Sequence, residues 1–384
     1  MNSKTVQKNN VMPLPTSKVT QLYWKNLPEL LTPSAPKCQS LVGFDEEFID
    51  IVDYIIRITH RIWEQKNVGL CTDYYAQYCP VHTLGAYADQ VSSVVTGTLQ
   101  TISAFPDRSL IGENVIWRDL GPDCGYYSSH RITSIMTNKG ASEFGEATDK
   151  TGRVTTIADC ICFENKIVYE WLVRDNSFLV KQLGIDVLTA SEHFAKLPTH
   201  PKFNEWRQAE IARVKAQQAS EHQWNTPVNK TAVEFSKQWL DTLFNQKNFG
   251  KAKLFYHLNA KLQWPGGRQA VGIPSIKGTM IQWLAMCPDA QVTCDHVCTV
   301  PFDETTDTHD IAIRWSLAGT FSSADKRMAA YRGQEFFILG ASHLRVVGGK
   351  ISEEWTVFDE VAAYANLIRD FNQTNTADGA ISSC

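Results

Sequence analysis

Glu170-Trp171-Leu172-Val173-Arg174-Asp175 and Glu354-Trp355-Thr356-Val357-Phe358-Asp359 are one stretch written twice, with Trp-x-Val-x-Asp recurring from Asp175 to Asp359. Each copy follows a turn and a Lys-Ile pair, Glu164-Asn165-Lys166-Ile167 in the first and Gly348-Gly349-Lys350-Ile351 in the second. Side chains alternate between the faces of a strand, so Trp, Val and Asp share one face in both copies. Two readings of that Asp stand side by side. It caps a helix that follows, over Asn176 to Leu183 or Glu360 to Ile368, or it is the polar floor of an apolar pocket.

Outward from this stretch the repetition continues. Gln65-Lys66-Asn67-Val68-Gly69 is matched by Gln246-Lys247-Asn248-Phe249-Gly250, and Tyr74-Tyr75 by Phe255-Tyr256. Gly97-Thr98 and Pro106-Asp107 are matched by Gly278-Thr279 and Pro288-Asp289. The order is kept while the offset drifts only from 181 to 184 residues, which is the mark of a tandem duplication. In each copy a helical pattern comes first, carried by Phe48, Ile51, Val52, Ile55, Ile56, Ile62 and Trp63 or by Val233, Phe235, Trp239, Leu240, Leu243 and Phe244. Strand patterns follow, over 114–118, 126–137, 154–163 and 167–174, then over 291–300, 311–318, 334–347 and 351–358. Helices followed by strands indicate an α+β domain, with helices on one face of a curved antiparallel sheet. The expected organisation is a proline-bearing arm over 1–44, a domain over 45–188, a linker with a helix over 189–230, a second domain over 231–372 and a tail over 373–384.

Composition narrows the function classes. The 384 residues are 43% hydrophobic and carry 37 basic against 41 acidic side chains, a net charge of −4 with no basic block, so neither nucleic acid nor an anionic membrane is expected as partner. No stretch reads as a secretory signal or a membrane span, and the ten scattered cysteines read as reduced thiols, which makes a cytoplasmic location the expectation. Cys294, His296 and Cys298 alternate on one strand, but a rise of about 3.3 Å per residue puts the two thiols roughly 13 Å apart, too far for one zinc. Neither a metal nor a cofactor is expected.

Tyr74-Tyr75-Ala76, Val81-His82, Gly97, Phe105-Pro106-Asp107, His130-Arg131, Thr151-Gly152-Arg153 and the strand from Lys166 to Asp175 follow one another in a telling order. The second copy repeats it through Phe255-Tyr256, Gly272 to Gly278, Pro288-Asp289, Arg314-Trp315, Gly319-Thr320, Gly333 and Gly349 to Asp359. This order resembles the SnoaL-like polyketide cyclase family of the nuclear-transport-factor-2-like superfamily. The resemblance implies two tandem cone-shaped domains, each a sheet wrapped round a pocket and closed by helices. It also implies that the acid ending the last strand, Asp175 or Asp359, is a general acid/base.

Trp171 and Trp355, on the same face, would then be desolvating walls that raise the acid's pKa and stack on a flat substrate. The family often carries a His in a Gly-Thr-His segment; Gly140-Ala141-Ser142 and Gly319-Thr320-Phe321 lack it. The first copy offers His82, His130 and Tyr127 in its place, where the second has Gln263 opposite His82. Arg131 and Arg314, at equivalent strand positions, either bind a carbonyl or carboxylate or pair with Glu170 and Glu354. Trp264-Pro265-Gly266-Gly267-Arg268 is expected as a loop over the second pocket. The expected function is cofactor-free proton transfer on a carbonyl compound, by cyclisation, isomerisation or dehydration, with a non-catalytic ligand-binding or interaction protein as the alternative. An intrachain pseudo-dimer through the outer sheet faces is expected, with further self-association open.

Overall fold

The computed structural model describes residues 19–220, 222, 229–303 and 307–381. The first half forms a six-stranded sheet from β1 (Val81–His82), β2 (Tyr87–Ala88), β3 (Ser109–Gly121), β4 (Gly125–Thr137), β5 (Thr151–Phe163) and β6 (Lys166–Arg174), in the order β2-β1-β6-β5-β4-β3. The second half repeats it with β7 (Tyr256–Trp264), β8 (Arg268–Val271), β9 (Gln291–Asp303), β10 (Thr308–Thr320), β11 (Glu335–Val347) and β12 (Lys350–Phe358), in the order β8-β7-β12-β11-β10-β9. The fold is α+β in two halves. The sheets are mixed, against the expectation of purely antiparallel ones, because β1 runs parallel to β6 and β7 parallel to β12. Those pairings join strands far apart in sequence, and β1 and β2 are only two residues each, too short to give a period-two signal.

Details that no composition argument could anticipate recur in both halves. The first long helix, Ile51–Thr59 or Lys230–Leu240, widens into one π-helical turn, His60–Glu64 or Asp241–Asn245. The last strand carries a bulge where register shifts, between Tyr169 and Ile167 in β6 and between Glu353 and Ile351 in β12. A bulge restarts the alternation of side chains. Beyond it Glu170, Leu172 and Arg174 face the inside of the first cone. Trp171, Val173 and Asp175 face out.

The outer sheet faces of the two halves pack on one another, and the apolar side chains between them include Ile116, Ile157 and Trp171 from the first with Cys298, Ala312 and Val357 from the second. The contact is pseudo-symmetric: the Arg314 guanidinium lies 3.4 Å from the centre of the Trp171 ring and the Arg131 guanidinium 3.9 Å from that of Trp355. Each half therefore lends an arginine to the other half's tryptophan, an attraction on the order of 2 kcal/mol when desolvated. The arm expected over 1–44 is described from residue 19 and straps both halves. Thr20 donates to Asp50 Oδ2 from its N–H and its hydroxyl, each at 2.8 Å, while the Tyr23 ring meets Phe302 at 5.0 Å. The linker helix, Pro201–Lys215, lies against the second sheet, where Arg213 pairs with Asp295 at 2.9 Å. The closing helix, Glu360–Ile381, continues well into the stretch expected as a tail.

Candidate active site

Inside the first cone is a cavity of about 550 Å³, walled by the inner sheet face, by Ile55 and Ile58 of the first long helix and by the Val91–Ala104 helix. The latter helix presents Ser93, Thr96, Gly97, Thr98 and Thr101, small and polar residues that leave room instead of filling it. Sheet residues supply the chemistry. Among the lining side chains are His130 from β4, Cys160 from β5, and Glu170 and Arg174 from β6.

Glu170 is only 6% exposed, and burial pushes its carboxyl up from the ordinary 4.5 to about 7. Tyr75, from the turn leading into β1, donates its hydroxyl to Glu170 Oε2 at 3.1 Å, which restrains that rise. The bond also holds the carboxylate in place. His130 is buried, desolvation lowers its pKa to about 3, and its Nε2 has no hydrogen-bond partner among the described residues. The ring is thus a neutral imidazole that lines the cavity with its carbon edge, its Nε2 being closed off beside Gly112. The Cys160 thiol is held well above its ordinary value by burial and the neighbouring Glu170, so it stays protonated and is a poor nucleophile.

The second cone is built on the same plan and packed shut. Aligned by the repeat and the strand register, Ile58, Thr83, Ile132 and Arg174 of the first half correspond to Trp239, Trp264, Trp315 and Phe358 of the second. All four are buried, with Trp283 against Trp264 at 5.6 Å and against Phe358 at 4.6 Å. Glu354, the counterpart of Glu170, is 1% exposed and accepts from Tyr256 at 2.5 Å, Trp264 at 2.6 Å and Thr356 at 2.7 Å. A carboxylate with three donors and no open side is a structural group.

Of the residues singled out from sequence, His130 lines the cavity, while the rest lie elsewhere. Asp175 caps the Asn176–Gln182 helix, accepting from Phe178 N–H at 3.0 Å and Ser177 Oγ at 2.8 Å, and also takes the Gly266 N–H of the second half at 2.8 Å. Asp359 caps the closing helix through Ala362 N–H at 3.0 Å, accepts from Asn176 Nδ2 at 2.6 Å, and borders a recess of about 130 Å³ that shares Arg174 and Glu143 with the cavity. Burial raises both, Asp175 to about 6 and Asp359 to about 7. Tyr127, Arg131, Arg314, Trp171 and Trp355 form the contact between the halves, where Arg314 donates to the Tyr127 hydroxyl at 3.0 Å and Arg131 pairs with Glu113 at 2.6 Å. One of the two alternatives for these arginines, an ion pair with Glu170 or Glu354, does not form among the described residues, since those acids point the other way. His82 packs outside the cavity among Tyr87, Tyr169 and Trp206, with Nε2 2.7 Å from the Tyr169 hydroxyl. Gln263 is exposed beside Trp355, the register equivalent of His82 beside Trp171. Trp264–Arg268 is a tight hairpin docked on the first half's Asn176–Gln182 helix, not a loop over a pocket: Gly267 has φ 76° and no room for a Cβ, which would lie 2.6 Å from the Phe178 ring.

Strand parity grouped these residues correctly and assigned the group to the wrong face. In a lone cone the apolar face of a strand is the inner one, but here the outer face is buried too, against the other half. Glu170 and Tyr75 were missed for that reason. Comparing the copies position by position would have found them, because the second fills with aromatics the places the first leaves open.

Residues 236–367 match the model of the SnoaL-like polyketide cyclase family, a family of small-molecule-converting proteins. No curated protein sequence matches the chain. Among solved structures, TsrD from Streptomyces laurentii is 14% identical, with 35% of this chain and 94% of that one covered at a TM-score of 0.31. Wild-type IdmH from Streptomyces antibioticus is 16% identical, covering 35% and 98% at 0.30. A protein from Catenulispora acidiphila with a ketosteroid-isomerase-like fold, in complex with trimethylamine, is 16% identical, covering 34% and 88% at 0.27. No described helix is long and apolar enough to cross a membrane.

Proposed function

We propose, from the premise that the second half is a SnoaL-like domain, that this chain is a cofactor-independent enzyme acting on a carbonyl compound, with the first half catalytic and the second a scaffold. The observation that carries the proposal is Glu170: a buried carboxyl on the cavity wall, poised near pH 7, with Tyr75 as its one side-chain hydrogen-bond partner among the described residues. A base works best when its pKa lies near the operating pH. Glu170 takes a proton from the carbon beside the substrate carbonyl, forming an enolate and a neutral carboxylic acid. Return of the proton to another atom gives isomerisation; attack of the enolate carbon on a second carbonyl gives ring closure.

The test is deuterium uptake by an enolisable probe, 2-tetralone, followed by NMR in D₂O. Exchange is expected to rise about tenfold per pH unit up to roughly pH 7 and then level, because Glu170 acts only when ionised. Exchange no faster than with the heat-denatured protein, or a rate independent of pH from 5 to 8, removes the reading and leaves a ligand-binding role.

Asp175 and Asp359 are tested separately. Asn also serves as an N-cap, so Asp175→Asn should leave exchange unchanged and shift stability by no more than about 1 kcal/mol. A hundredfold loss of exchange with a retained fold would restore Asp175 to the centre of the chemistry.

A further inference from the structure

The cavity also holds two arginines that form no ion pair among the described residues, although Glu64 and Glu143 are felt by Arg108, and Glu170 and Asp359 by Arg174. Arg108, in the chain entering β3, is 6% exposed; its guanidinium lies 4.2 Å from the centre of the Trp63 ring, and its Nε and Nη2 donate to the Ser134 hydroxyl at 3.2 and 3.1 Å. Nothing else accepts from this side chain among the described residues; the Glu64 carboxylate, which accepts from the Leu110 N–H, and Glu143 act on it only at a distance. Arg174 faces the same space and forms neither a hydrogen bond nor an ion pair through its side chain among the described residues. Burial brings the Arg108 pKa down to about 9, with the Arg174 charge as the next cause, so each cation is felt by the other. Of the acids on the cavity wall, Glu170 is half neutral near pH 7 and Glu143 is only partly buried.

A buried cation without a partner is costly, and the cost is relieved when an anion arrives. Guanidinium forks fit the planar oxygen pair of a carboxylate, and the walls between them, Ile55, Ile58, Ile132 and Leu172, suit a ring or chain of apolar carbon. We infer that the substrate of this site is a carboxylic acid with an apolar body, its carboxylate seated on Arg108 and Arg174 and its reactive carbon turned to Glu170. The inference rests on the proposed function for the role of Glu170, while the anion seat stands on the arginines alone.

Calorimetric titration of the full chain at pH 7.5 with 2-naphthoate and with its neutral isostere 2-naphthamide separates the two. Naphthoate is expected to bind about tenfold tighter or better, as a charge-assisted pair of hydrogen bonds would give. Arg108→Met should erase that preference while amide binding survives. Arg174→Met, at a less buried position, should reduce it severalfold and serves if the first variant fails to fold. Equal affinity for the two ligands, binding of neither at 1 mM, or a preference that survives Arg174→Met unchanged would overturn the inference. Titration involves no proton abstraction. Absent selectivity beside normal tetralone exchange would remove the anion seat and spare the base; selectivity without exchange would do the reverse.

Discussion

Glu170→Gln is expected to lower the rate of proton exchange by roughly 10²–10⁴-fold while leaving the fold intact. Gln matches the acid in size and still accepts from Tyr75, whose hydroxyl lies 3.1 Å away, but it cannot take up a proton. Stability supplies an independent check with a definite sign. The carboxyl holds its proton more tightly in the folded chain, at about 7, than at its ordinary 4.5, so its stabilising contribution is full below pH 4.5 and is lost as pH rises through 7. The Gln variant, neutral throughout, should therefore unfold with wild type at pH 4.5 and be more stable at pH 8, by up to about 3 kcal/mol. Thermal melts at the two pH values read this directly. Equal rates in the two proteins would exclude Glu170 as the base, whatever the melts show.

The largest structural effect is expected at the contact between the halves. Arg314 is 2% exposed, stacks on Trp171 and donates to Tyr127, and its charge is the main influence holding the buried Asp159 carboxyl down against desolvation. Asp159 in turn meets the Tyr127 hydroxyl. Arg314→Met keeps the bulk and removes the charge, leaving Asp159 buried without its cation. Such a loss costs about 3–5 kcal/mol, read as a lower urea midpoint. Arg314→Lys should recover only part of it, because an ammonium neither stacks as a plane nor presents a fork. A shift below about 1 kcal/mol for the Met variant would mean that the interface is held by apolar packing alone.

Much of this architecture was legible in the chain. The duplication came from ordered matches alone, and the eight expected strands and the first helices fall where their periodicity puts them, because each has one face in a core, whereas the nine-residue β7 was not read. The short edge strands were silent: Val81–His82 and Tyr87–Ala88 are placed by pairing with β6 and with one another, which no local pattern encodes. The site was half legible. His130 lies on the cavity wall, as its strand position allowed, whereas Trp171 and Asp175 went to the opposite face because the second half covers the outside of the first sheet. An acid such as Glu170 next to a tryptophan looks in sequence like a solvent-facing neighbour of a core residue. Only the three-dimensional arrangement shows that both neighbours are buried, one in an interface and one in a cavity.

The filled second cone has a consequence for how this molecule could diverge. In a dimer of identical subunits every substitution is made twice, so a tryptophan that plugs one pocket plugs both, and a variant that gains rigidity loses all its sites at once. Covalent fusion ends that coupling. Trp264 and Phe358 occupy one cone while Thr83 and Arg174 keep the other open, an asymmetry no symmetric assembly could hold. The two arginine–tryptophan stacks keep the pseudo-twofold relation between halves whose interiors are free to differ.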